Sequence, residues 1–288
     1  MRPVTAPVEH LTLTASGLSF DALALGPPDG ELVLLLHGFP QTARAWTPLL
    51  APLAAAGYRA VAVTQRGYSP GARPEGDEAY AMDDLVGDVL NLAEALGAEA
   101  FHLVGHDWGG AVAWQVAGTH HTRVRTLTVL STPHPSAFRR ALAGELGGDQ
   151  AERSGYMALF AAEGTAELLA ADGAAGLRGL YEASGLPAEE VGPYVEALGS
   201  VEVLDAALAW YRAARDRLTG DFVDIEVPTL YLWGVDDLAL GREAAEATGD
   251  HVTGPYRFVP LDGVGHWVVE AAPGPVADAL LAHLGAAG

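Results

Sequence analysis

The chain contains no cysteine and no lysine. Without cysteine there is no disulfide, no thiolate metal site and no sulfur nucleophile. Without lysine, all 16 fixed side-chain cations are arginines, set against 37 Asp and Glu for a net charge of -21. So little here can neutralise phosphates that nucleic acid and anionic membranes are poor partners. The balance suits a soluble protein kept apart from its neighbours by self-repulsion. Long apolar runs are missing as well: none approaches the roughly 20 residues that span a bilayer. The opening stretch, Met1-Arg2-Pro3-Val4-Thr5, lacks the apolar core of a signal peptide. A cytoplasmic protein is expected, as a monomer or homodimer.

What is present is a chain of 288 residues, 50% of them hydrophobic. That is enough for one elaborated domain or a domain with an inserted subdomain. Val8 to Thr14 and Leu18 to Leu25 alternate like paired strands across a Ser16-Gly17 turn. The unbroken apolar run Leu32 to Leu36 predicts a strand buried on both faces, as in a parallel sheet. A helix over Trp46 to Ala55, a strand over Arg59 to Val63 and a helix over Asp83 to Leu96 follow. Strand and helix continue to alternate as far as a strand at Arg125 to Leu130, which predicts right-handed crossovers and a parallel sheet.

The rhythm breaks at Ser131-Thr132-Pro133-His134-Pro135. From there to about Phe222 the patterns are helical, with joints at Gly147-Gly148, Gly173, Gly185-Leu186-Pro187 and Gly220. Strands return at Pro228 to Trp233 and Tyr256 to Leu261, and a helix closes the chain at Pro275 to Leu284. The expected organisation is an α/β core of residues 1–132 and 223–288, with a helical cap of residues 133–222 between its strands.

The chemistry points to Gly105-His106-Asp107-Trp108-Gly109, directly after the apolar run Phe101 to Val104. This is a nucleophile elbow: a buried strand, a sharp turn, then a helix. Flanking glycines allow a strained backbone that pushes the central side chain into a cleft. Most such elbows carry serine, which needs a base before it attacks. A carboxylate, with a reference pKa of about 3.9, is already ionised at neutral pH. It suits displacement at an sp3 carbon, giving an ester that water must then cleave.

Three further features fall at strand ends, where open parallel sheets build their sites. His37-Gly38-Phe39-Pro40 follows the buried Leu run and can aim the Phe39 N–H into the cleft. With the N–H of Trp108, at the positive end of the elbow helix, it makes an oxyanion hole. Asp237 follows the strand ending Trp233-Gly234, with Asp236 beside it as a turn or cap residue. His266 lies in Gly263-Val264-Gly265-His266-Trp267. Histidine titrates near neutrality, so it can take a proton from water. A carboxylate on its other nitrogen fixes the tautomer and stabilises the imidazolium. His120, His121 and His134 read as solvent-facing loop residues, and no metal-ligand spacing is present. His106 is expected to pack beneath the turn.

In this order and spacing the motifs resemble the α/β-hydrolase superfamily, and within it the epoxide hydrolase branch, which is related to haloalkane dehalogenases. The resemblance covers about two thirds of the chain, excluding the cap. It implies an eight-stranded, mostly parallel sheet, a catalytic triad of Asp107, His266 and Asp237, and no metal or organic cofactor. It further implies cap tyrosines that hydrogen-bond a small apolar epoxide, which water then opens to a diol. Tyr211, in Leu208-Ala209-Trp210-Tyr211-Arg212, matches the second of these. The first falls nearest Leu159, so either Tyr156, one helical turn earlier, substitutes or a single phenol acts. Tyr181 and Tyr194 are further cap candidates. His37, Pro40, Trp108, Trp210 and Trp267 are the expected substrate contacts. Two alternatives remain. One is a haloalkane dehalogenase with the Trp108 indole on the halide; the other is a non-hydrolytic binding or biosynthetic member.

Overall fold

The computed structural model describes residues 7–214 and 222–286, so the Met1 to Thr5 stretch and the Gly220 joint lie outside the described residues. Eight strands form one sheet: β1 Glu9–Ala15, β2 Leu18–Leu25, β3 Leu32–Leu36, β4 Arg59–Val63, β5 Phe101–His106, β6 Val124–Leu130, β7 Thr229–Gly234 and β8 Tyr256–Leu261. Their spatial order is β1-β2-β4-β3-β5-β6-β7-β8. The β1–β2 and β2–β4 pairs are antiparallel and the other pairs parallel. Ser16 and Gly17 turn the first hairpin, both with positive φ (53° and 75°), the twist that matches paired strands.

Burial follows position in the sheet. All five residues of β3 are buried because helices cover both of its faces. Helix α1 (Thr47–Ala55) packs with the C-terminal helix, while α2 (Met82–Ala95) packs with α3 (Trp108–Thr119). Between β6 and β7 come α4 (Pro135–Leu142), α5 (Gln150–Arg153), α6 (Tyr156–Phe160), α7 (Thr165–Ala183), α8 (Ala188–Leu198) and α9 (Val201–Ala214). After β7 the chain forms α10 (Arg242–Ala247), α11 (Val268–Ala271) and α12 (Pro273–Gly285). Helix α4 packs on α10 and the turn Thr248–His251, against the sheet half of the molecule. Helix α7 is kinked at Ala171 to Ala174, where Asp172, Gly173 and Ala174 all take positive φ.

Helices α6 to α9 sit over the C-terminal ends of the central strands, held by polar contacts from several elements. The Trp210 indole donates to the Arg66 carbonyl at 2.9 Å and the Trp267 indole to the Ser184 carbonyl at 3.1 Å. The Tyr181 hydroxyl donates to the Pro40 carbonyl at 2.6 Å and that of Tyr194 to Glu270 at 2.8 Å. Arg44–Glu190 and Arg212–Asp77 add ion pairs at 2.9 and 2.8 Å. Tyr181 and Tyr194 are therefore docking residues, engaged away from any ligand.

Tyr181→Phe tests this docking. It removes the donor from the buried Pro40 carbonyl while keeping the ring. The expected loss is about 1–3 kcal/mol in denaturant unfolding, with no change of secondary structure by circular dichroism.

Candidate active site

Asp107 takes φ 51°, ψ -121° at the junction of β5 and α3. Such a conformation is costly for a residue with a Cβ, and it persists because the neighbours leave no alternative. A Cβ on Gly105 would lie 2.3 Å from the Gly109 carbonyl oxygen. One on Gly109 would lie 2.2 Å from the Leu36 carbonyl oxygen, and one on Gly38 2.2 Å from the Asp107 Cβ. The elbow and the His37-Gly38-Phe39-Pro40 turn thus interlock at glycines. They flank β3 and β5, the adjacent strands where the chain reverses its direction of crossing, a place where ligands bind in such sheets.

The two carboxylate oxygens of Asp107 have different surroundings. Oδ1 accepts the Phe39 N–H at 2.7 Å. Oδ2 faces His266 Nε2 at 3.7 Å, beyond direct hydrogen-bond range. Burial raises the Asp107 pKa, while the His266 charge and the N–H groups of Phe39 and Trp108 pull it back. His266 Nδ1 lies 2.9 Å from Asp237 Oδ2. Asp237 is buried, and its Oδ1 accepts the N–H groups of Ala239 and Leu240 at 2.8 and 3.1 Å. Asp236 is exposed, so the structure distinguishes two aspartates that composition leaves alike. Burial alone would lower the His266 pKa. Asp237 first, then Asp107 and Glu270, outweigh it and push the value up to about 9.

Above Asp107 lies a cavity of about 410 Å³ lined mostly by apolar side chains, with Asp107, Trp108, Tyr156, Trp210 and Tyr211 among them. The Tyr211 ring packs edge-on to Trp108 at 5.1 Å and to Phe39 at 5.3 Å, and lies 6.4 Å from Tyr156. Burial raises both phenol pKa values, with the Asp107 charge as the next cause, so both are neutral hydroxyl donors at neutral pH. Leu159, the nearest match to the family tyrosine, is half exposed. Tyr156 and Met157 are the residues of that segment that reach the cavity, and of the two only Tyr156 carries a hydroxyl.

Other expected contacts are not at the cavity wall. His37 is fully buried beneath the turn, where Nε2 accepts the Gln65 N–H at 3.1 Å, and burial pushes its pKa down to about 4. Pro40 presents its carbonyl to Tyr181, and the Trp267 indole is taken up by Ser184. None of these three lines the cavity. His134 is not solvent-facing: it is buried, stacked on His251 at 4.8 Å, and burial pushes it down to about 4. His106 does lie beneath the elbow, with Nε2 2.9 Å from the His266 carbonyl. The wall also includes Met82, Leu85, Phe138 and Met157, which carried no sequence signal because they come from three separate helices, α2, α4 and α6. Among the described residues, no cluster of His, Asp and Glu could hold a metal ion, and no helix is long and apolar enough to cross a membrane.

Fold and site together define an α/β-hydrolase: residues 31–273 match the α/β-hydrolase fold family, and the chain belongs to it. It is 34% identical over 285 residues to the AB hydrolase superfamily protein YfhM of Bacillus subtilis, covering 94% of this chain and 96% of that protein. It is 33% identical over 317 residues to epoxide hydrolase A of Mycobacterium tuberculosis, covering 97% and 98%. A Bacillus megaterium epoxide hydrolase variant, solved with a naphthyloxy-propane-diol product, superposes with a TM-score of 0.86 at 26% identity, covering 96% of this chain and all of that one.

These shifts predict a stability maximum near pH 6.5 in denaturant titrations. His266 is raised to about 9, so its contribution is full below its unfolded pKa of about 6.5 and is lost as pH rises through 9. His37 and His134 are depressed to about 4, so theirs is full above about 6.5 and is lost as pH falls through 4. Each limb is worth a few kcal/mol. His266→Gln should flatten the alkaline limb and leave the acid limb in place.

Proposed function

We propose that the chain is an epoxide hydrolase, a hydrolase of ether bonds that opens an epoxide to a vicinal diol through an ester on Asp107. The observation that carries this reading is that Asp107 and two neutral phenols, Tyr156 and Tyr211, open into one apolar cavity. Phenols suit an epoxide because its oxygen needs a proton as the C–O bond breaks. The relatives that act on epoxides add support. The cavity, about 410 Å³, is within the range of small-molecule sites and suits a small apolar substrate.

In this mechanism Oδ2 attacks a ring carbon, since Oδ1 is held by the Phe39 N–H. The ring C–O bond breaks, and its oxygen takes a proton from Tyr211 or Tyr156. Esterification removes the Asp107 charge, one of the contributions that keep His266 protonated. The imidazolium then gives up its proton to restore the phenol and becomes a base. It takes a proton from water, and hydroxide adds to the Asp107 carboxyl carbon. Negative charge develops on Oδ1, where the N–H groups of Phe39 and Trp108 receive it. The alkyl oxygen leaves with the proton held by His266, and the diol departs. Asp237 keeps the imidazole oriented throughout.

Halide chemistry has less support. It needs a second donor beside Trp108, and Phe39 offers only a ring.

With His266→Gln the second step stalls, so incubation with aryl and alkyl epoxides should leave substrate mass on the Asp107 peptide. No adduct with any of them would sink the reading, and bromide release from bromoalkanes without diol formation would select a dehalogenase. The double variant Tyr156→Phe, Tyr211→Phe should slow adduct formation by about 10²–10⁴-fold, the range of general acid catalysis.

A further inference from the structure

A buried polar chain behind His266 is not used by the mechanism above. Glu270, on α11, accepts from the Gln41 amide at 2.6 Å and from the Tyr194 hydroxyl at 2.8 Å, both on its Oε1. Its other oxygen, Oε2, is buried without a partner among the described residues. The Gln41 oxygen accepts the Gly38 N–H at 3.1 Å and lies 2.9 Å from His106 Nδ1. The opposite ring nitrogen of His106 lies 2.9 Å from the His266 carbonyl, which also accepts the Ser131 hydroxyl at 3.1 Å. One chain of contacts therefore runs from the cap helix α8, through Glu270, Gln41 and His106, to the backbone of the histidine.

Hydrogen bonding alone does not call for a carboxylate at 270. Glutamine would offer the same carbonyl oxygen to Gln41 and Tyr194. Burying a carboxylate costs free energy unless it is fully paired, and here one oxygen is left over. Groups kept at such a cost beside a reacting centre are candidates for a role in it. The negative charge of Glu270 reaches His266, adding to that of Asp237 and Asp107.

We infer that Glu270 is a positioning residue for His266: it ties the loop bearing the histidine to the cap, and supplies negative charge behind the imidazole when Asp107 is esterified. The kinetic consequence rests on the proposed covalent route, but the charge link does not. Other titratable groups face Glu270. They are Tyr194 and Glu190 from α8, Tyr181 from α7 and His266 itself, while His106 from β5 is linked to it only through Gln41. Glu190 is paired with Arg44 at 2.9 Å, which offsets its charge. Burial raises the Glu270 pKa, opposed by the Tyr194 and Gln41 hydrogen bonds.

The test needs no substrate. In Asp107→Asn, the neutral amide stands for the esterified carboxylate, and NMR of the histidine ring protons reports the His266 titration. Adding Glu270→Gln should lower that midpoint by about one pH unit, the size expected for one charge at this range in a partly polar interior. Glu270→Asp keeps the charge and should keep the midpoint. A midpoint unmoved by Glu270→Gln in a folded protein overturns the inference. If that variant does not fold, the wild-type chain carries the test: its His266 signals should show a second inflection where Glu270 takes up its proton. A single-site curve there overturns the inference equally. Where an epoxide is turned over, the acid limb of ester breakdown in Glu270→Gln should move to lower pH as its plateau falls severalfold. A packing defect would lower the plateau and leave the limb in place. Failure of every epoxide to react would remove the covalent route and leave the NMR result standing.

Discussion

The site depends on one carboxylate held at φ 51° by a turn whose neighbours cannot carry a Cβ. The strain at Asp107 is local, but its support is not. Gly109 lies against the end of β3, and Gly38 lies against Asp107 itself. Two adjacent parallel strands must therefore finish at the same height for the elbow to close. The register between Leu36 and Gly105 sets that height. The same closure brings the Phe39 N–H onto Oδ1 and leaves Oδ2 toward the histidine. Geometry makes the two oxygens of one carboxylate inequivalent.

Electrostatics then follow from burial. His37, His106 and His134 lie in the interior without a carboxylate to pair with, and burial depresses them. His266 is also buried, yet it sits between Asp107 and Asp237 and moves the other way. The difference lies in neighbouring charge, not in the residue type. A resting imidazolium beside a resting carboxylate is a stable pair. In the proposed route it becomes a base only when its partner is neutralised, which would tie the order of the two half-reactions to charge. Glu270 is part of this field through the three-residue chain that ends on the histidine carbonyl.

Helices α6 and α9 contribute aromatic walls and phenols, and the docking of α6 to α9 is polar. Trp210 shows both roles: its ring lines the cavity while its indole N–H holds the Arg66 carbonyl. Arg66 is itself fixed by a buried pair with Asp88 at 2.7 Å. Tyr181 and Tyr194 occupy the same kind of position as Tyr211 in composition, but their hydroxyls are used in docking.

Much of the architecture was legible in the chain because the signals are local. Strands β3 and β4 fall where the apolar runs predict them, since burial on both faces demands continuous hydrophobicity. The elbow was legible because only glycine fits where backbone meets backbone. Contacts between distant segments were not. Gln41 and Glu270 lie 229 residues apart, and no period or motif joins them. His37, Pro40 and Trp267 follow strands as site residues do, yet the turn rotates them away from the cavity. His134, in a Pro-rich joint, is buried by its stack on His251. The sequence by itself determined the strands of the sheet and the elbow with an aspartate at its apex, through hydrophobic period and glycine placement. Only the tertiary structure decided which tyrosine rings line the cavity, which hydroxyls are used in docking and what lies behind the histidine. Those outcomes depend on side-chain direction across packed elements, which no local pattern encodes.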